Sequence, residues 1–317
     1  MASARSTLPP FGPTLLTWFL PGAGHALLGA YGTAVFAFVL VQGLYAAGFL
    51  LSDGLAFEFL HWELRGRLAL LLAPEIGNAG ALLAHQMLAP LASPPPLVPP
   101  DPVSASVHLG SWLTAASGVL NMVLMAHAHL LARAPRESER TVNAVARSVA
   151  AGLVVPGLGH WLQGRRRRAA IVAVLVTALF FLGVMWADGT NLSREHHFYY
   201  WSGQMFTGVL AFVSEFVRGH PPLASVPDHV DVGIFYACLA GLLNVLLAID
   251  VFAWGESRAL GLDPVEDRRR LAEHRRTRKD KKKAAPSAPG AARKHLVAPA
   301  ASATSAPSAE GVNEERR

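Results

Sequence analysis

"PGLGHWLQG" runs from Pro156 to Gly164, and a near copy, "PGAGHALLG", runs from Pro21 to Gly29. The two stretches stand 135 positions apart, and the match continues at that offset without a gap. Ala34 falls on Ala169, Val39-Leu40-Val41 on Val174-Leu175-Val176, Gly48 on Gly183, and Asp53-Gly54 on Asp188-Gly189. A second block matches at an offset of 123: Gly110, Gly118, Leu120 and Asn121 fall on Gly233, Gly241, Leu243 and Asn244. The second copy is therefore shorter by about a dozen residues, which the Pro-rich "ASPPPLVPPDP" of the first copy (Ala92–Pro102) accounts for. Matches in order at both ends of each copy mark a duplicated unit and not one chance motif.

Working outward, each unit holds four apolar segments. In the first they are Pro13–Leu28, Thr33–Leu51, Leu68–Leu91 and Val107–Leu131; in the second, Ser148–Leu162, Ala169–Ala187, Phe198–Val217 and Val232–Trp254. The 317-residue chain is 52% hydrophobic and only 16% charged, where soluble domains carry about 25% charge. Runs of roughly 17–25 apolar residues suffice to cross a hydrocarbon core of about 30 Å. Backbone groups in lipid must be satisfied within the segment, so the segments are expected to be helical. The fold class that follows is an all-α integral membrane protein of two tandem homologous helical units of about four apolar segments each. The expected layout is a first unit over 1–131, a basic cytoplasmic linker over 132–147, a second unit over 148–254 and a basic, largely disordered tail over 255–317.

Composition also excludes some chemistry. Cys238 is the one cysteine, so an intrachain disulfide and a thiolate zinc site are ruled out. The N-terminal stretch does not read as a cleaved signal peptide: it offers Arg5 and an apolar run that Pro21-Gly22 interrupts early. Most of the basic excess behind the net charge of +6 lies in "RRRLAEHRRTRKDKKK", Arg268–Lys283, with ten Lys or Arg against two Asp or Glu. Directly after a membrane segment, such a run reads as a solvated cytoplasmic tail touching anionic lipid, with no nucleic-acid partner. The Ala-, Pro- and Ser-rich stretch beyond it cannot bury enough surface to fold.

The repeated motif is expected to be a helix break. Pro21 and Pro156 remove a donor, Gly22, Gly24, Gly157 and Gly159 free the backbone and allow close approach, and Gly29 and Gly164 release the chain into the next segment. A short apolar helix, this Gly-rich motif, a basic turn and a second apolar helix resemble the two-transmembrane-helix domain. They resemble still more closely bacterial multi-pass proteins of unknown function with a "PGLGHFYLG"-type motif. The resemblance covers about 40 residues of each copy; Trp161 stands where that pattern has an aromatic pair, and the first copy has Ala26 there and "AYGT" in place of "RRRR". It implies a helical membrane unit and no activity.

Basic residues give the expected topology. The tail, the cluster from Arg133 to Arg140 with Arg147 beyond it, and Arg165–Arg168 all belong on the cytoplasmic side of an inner membrane. If all four segments of the second unit cross, Arg165–Arg168 falls on the wrong side. The conflict disappears if the first segment dips in and returns while another, the third being the candidate, also fails to cross. The expected number of crossings is six to eight, or four under that double re-entrant reading. Equal topology makes the units parallel repeats about an axis along the membrane normal.

Several residues are candidates for more than packing. His25 and His160 recur at the break, where each ring is expected to satisfy a freed carbonyl, or alternatively to titrate or bind metal. Asp53 and Asp188 read as helix-closing turns. Asn121 and Asn244 lie within the fourth segments and are expected to bridge helices; Gly110, Thr114 and Gly118, matched by Gly233, Ala237 and Gly241, make a flat stripe for close contact, with the other fourth segment as one candidate partner. Glu75, Gln204 and Glu215 are polar residues of the third segments; Glu75 reads as deep and Glu215 as near the segment end. Arg165, Arg166, Arg167 and Arg168 are candidates for contact with anionic lipid headgroups. No motif for a cofactor, resident metal or catalytic set is present. The expected function is a non-enzymatic inner-membrane scaffold or assembly protein, binding the bilayer and other membrane proteins or itself. A small-solute or ion transporter built from the duplicated units is the alternative, and a membrane enzyme using His25 or His160 the second.

Overall fold

Proline and glycine decide which segments stay continuous. The second and fourth segments of each unit contain no proline, and each is one long helix: α3 (Tyr31–Leu51), α5 (Ala105–Arg133), α8 (Arg166–Trp186) and α11 (Val230–Ala259). The first segments break at the repeated motif into α1 (Phe11–Phe19) and α2 (Ala23–Leu27), and into α6 (Glu139–Val154) and α7 (Leu158–Leu162). The third segments break as well. In the first unit a 3-10 turn, Pro74–Asn78, leads into α4 (Ala79–Ala92); in the second, α9 (Phe198–Gln204), a 3-10 turn and α10 (Val209–Arg218) follow one another, with Gly208 at φ 71° and ψ −129° making the break. The third segments, expected to be helical, are helical in interrupted pieces. The computed structural model describes residues 9–54, 73–92, 105–194, 197–219 and 228–266, with positions 269, 273 and 277. The start of the first unit's third segment (68–72), most of the Pro-rich insert and nearly all of the expected tail beyond 266 lie outside the described residues, while the first tail residues, from 255, continue α11 to Ala259.

The chain is an all-α membrane protein built from two repeated units. Among the described residues, four helices are long and apolar enough to cross a membrane: α3, α5, α8 and α11. At 1.5 Å per residue even the 21-residue helices span about 31 Å. Four is the number of crossings that the double re-entrant reading requires.

Within each unit the long helices pair antiparallel through glycine. A Cβ on Gly48 or Gly110 would run into the other helix's backbone, and the same holds for Gly183 and Gly233. One stripe position further, Gly118 lies against the carbonyl of Pro74, and Gly241 against that of Gly203. The small-residue stripe therefore packs against protein as expected, its partners at these glycines being the second and third segments of its own unit rather than the other fourth segment. The helix-closing turns form as expected: Asp53 and Asp188 are left-handed (φ 50° and 48°), and the amides of Gly54 and Gly189 reach back to Phe49 O and Val184 O.

Both broken segments reach the middle of the fourth helix. Asn121, about 18 Å from the Arg133 end of α5, donates to Thr17 O and to Gly77 O, each at 2.8 Å. Asn244 donates to Gly152 O at 3.0 Å and Phe206 O at 2.8 Å. Thr17 and Gly152 are equivalent in the two copies, so one amide per unit ties together the inner ends of two interrupted segments. Trp18 Nε1 donates across the junction to Ile76 O at 2.6 Å.

Ion pairs fix which ends lie together. Arg133 at the end of α5 pairs with Glu256 near the end of α11, and Arg165 and Arg168 at the start of α8 pair with Asp250 of α11. α6 and α7 turn inward and return, so the linker arginines and Arg165–Arg168 share one end of the bundle.

Candidate functional site

The PGxGH motif has two physical jobs. Gly22 and Gly157 are left-handed (φ 85° and 86°) and pressed against the carbonyls of Ala34 and Ala169; Gly24 and Gly159 face the carbonyls of Pro13 and Ser148 across the hairpin. Gly29 and Gly164 are left-handed (both φ 78°) but border open space. Pro21 and Pro156 stand at the turn between the two short helices of each hairpin.

Both motif histidines are buried, and each ring faces a side chain on its unit's long helix in place of the expected freed carbonyl. His25 Nε2 lies 2.9 Å from His127 Nδ1, and His160 Nε2 lies 3.3 Å from Asp250 Oδ2. His127 and Asp250 are 123 positions apart, the offset of the fourth segments, so each unit joins its motif histidine to the same place on its long helix. The sequence reading missed this pair, although the repeat contained the signal. His127 Nε2 lies 2.8 Å from Asn143 Oδ1 of α6. Burial, with the neighbouring His127 ring adding to it, lowers the His25 pKa to about 4. The two motif histidines do not meet each other.

The densest buried charge lies elsewhere, between the units. Glu75 is fully buried; its Oε1 accepts from Thr114 Oγ1 and from Arg194 Nη2, both at 2.9 Å. Its Oε2 has no hydrogen-bond partner. Arg194, 1% exposed, also donates to Ser111 O at 3.2 Å and lies over the Trp201 ring at 4.6 Å. Glu215 Oε2 accepts from the indoles of Trp112 and Trp201, each at 2.8 Å, with His108 Nδ1 3.9 Å from Oε1. Glu75, Thr114 and Trp112 belong to the first unit, Arg194, Trp201 and Glu215 to the second. Glu215 lies in the last turn of α10, near the segment end as expected, yet it is nearly as buried as Glu75, at 1% exposure. Gln204, buried beside this centre, exchanges hydrogen bonds with Asn191. Arg194 has no counterpart in the repeat, since Phe59 occupies that offset, so the duplication could not point to it.

At the linker end, Arg165–Arg168 line an open recess of about 370 Å³ together with Gly164 and Trp254. Arg165 is held by Asp250 at 2.5 Å and lies 4.7 Å over the Trp254 ring; Arg168 is 3.0 Å from Asp250. Arg166 lies over Trp161, and Arg166 and Arg167 are exposed. Among the described residues no group of three or more His, Cys, Asp or Glu could hold a metal ion.

Residues 13–140 match a family described as of unknown function, DUF6677, and residues 147–264 match it a second time. The chain belongs to that family and carries its unit twice. No curated protein matches, and no solved structure does.

Proposed function

We propose that this member of the DUF6677 family is a membrane carrier for a small ion or solute, working through the charged centre that its two units share. The observation that carries the reading is Glu75, fully buried with one oxygen held by Arg194 and Thr114 and the other without a partner. Burying an ion costs several kcal/mol even after relaxation, and a bundle needing only stability could fill the place with apolar side chains. Intramembrane ionisable groups beside interrupted helices are a recurring design of carriers built from repeats. The test reconstitutes the full chain in liposomes loaded with pH- and sodium-sensitive dyes. Flux above empty vesicles, lost in the paired variant Glu75→Gln with Arg194→Met, supports the carrier. Wild-type vesicles as tight as empty ones refute it for these ions.

A second reading, the non-enzymatic scaffold, is favoured by Glu215. Its Oε2 takes one indole from each unit, as a structural clamp would. A stoichiometric membrane partner in pull-downs, with no flux, decides for it. In both readings the protein sits in an inner membrane with its basic end and tail in the cytoplasm.

A further inference from the structure

We infer that the recess at the start of α8 is a binding site for a phosphate group, chiefly that of an anionic phospholipid headgroup. The repeat supplies an internal control. At the equivalent turn the first unit has Ala30, Tyr31, Gly32 and Thr33, and its helix α3 still begins at Tyr31. The backbone geometry agrees as well: Gly29 and Gly164 are both at φ 78°, and the amides of Ala30 and Arg165 close on His25 O and His160 O. The fold at this turn therefore forms without arginine, and the four arginines are a property of the second unit alone.

They are also arranged. Asp250 holds Arg165 and Arg168, and Trp254 backs Arg165. One carboxylate against four guanidiniums leaves the recess strongly positive, and Arg166 and Arg167 stay exposed to reach a ligand. The first-turn amides of α8 add to the positive potential, since no side chain caps that helix. Planar guanidiniums pair with phosphate oxygens in bidentate fashion. The neighbourhood favours a lipid as the source. Less than two turns beyond Arg168 come Ile171 and Val174, 66% and 69% exposed, where acyl chains would lie, and Trp161 and Trp254 flank the recess as interfacial aromatics do.

The test uses the purified full chain in neutral detergent and counts bound lipid by native mass spectrometry. Short-chain phosphatidylglycerol, phosphatidylcholine and inorganic phosphate are titrated separately. The variant Arg166→Gln with Arg167→Gln leaves the Asp250 pairs in place. The expected result is preferential binding of phosphatidylglycerol, weakened on the order of thirtyfold in the variant with the melting temperature unchanged. Inorganic phosphate competing as tightly as the lipid would keep the phosphate site but assign it to a soluble phosphate. Equal binding of phosphatidylglycerol by wild type and variant, or no discrimination against phosphatidylcholine, would overturn the inference.

Discussion

At the residue scale, the glycines of the motif differ in what they protect. Gly24 has the Pro13 carbonyl where a Cβ would go, whereas Gly29 has open space and only its left-handed φ to lose. Gly24→Ala forces the hairpin apart, with an expected cost of about 1–3 kcal/mol or more. Gly29→Ala should cost about 1 kcal/mol from backbone strain alone. Thermal unfolding of the two variants in detergent checks the order; a Gly29 variant that is the worse of the two would sink it. His25 brings a pH dependence with a defined sign. Its folded pKa of about 4 lies below the 6.5 of the free side chain, so the unfolded chain binds the proton more readily. Stability is unaffected above about pH 6.5 and falls as pH drops toward 4, by up to about 3 kcal/mol. His25→Gln should flatten that part of the stability curve, and an unchanged slope would show that other groups carry it.

At the scale of elements, the fourth helices organise everything else. Each supplies glycines for two neighbours and one asparagine that fastens two broken segments. The charged centre is a different kind of joint, because it couples elements of opposite units. Removing one partner of a buried ion pair leaves the other charge stranded, typically at about 3–5 kcal/mol. Glu75→Gln or Arg194→Met alone should therefore lower yield and melting temperature sharply, and the two together should recover most of the loss. A double-mutant cycle measures this; additive losses would mean that the 2.9 Å pair is energetically idle. Much of this was legible in the sequence. The repeat, the glycine stripe, the paired asparagines and the depth of Glu75 all follow from spacing and polarity. Two things were not. The stripe's partner is set by how helices distant in sequence pack together, which periodicity does not encode. Arg194 lies in a connecting turn of one copy, where neither symmetry nor an apolar run marks it.

At the scale of the whole molecule, the broken segments reconcile charge with topology. Were α6 and α7 a full crossing, Arg140 and Arg165 would lie on opposite faces. Instead the hairpin turns at Pro156-Gly157 and returns, and the contacts of Arg133 with Glu256 and of Arg165 and Arg168 with Asp250 gather these arginines at one end. α3 and α5 make one excursion from that end and back, α8 and α11 a second. With four crossings, both units present the same end to the same compartment, as parallel repeats require. In the proposed topology, the positive-inside rule assigns that end to the cytoplasm. The prediction is sharpest where the four-crossing and full-crossing schemes disagree. A reporter active only outside the cytoplasm should be silent when fused after Gln163, after Arg140 or after Gly261. It should be active when fused after Gly189, at the far end of α8. Full crossing by the first segment would instead make the Gln163 fusion active while Arg140 stays silent. That outcome would show the hairpin to span the bilayer, and would also remove Arg165–Arg168 from the face on which the linker arginines lie.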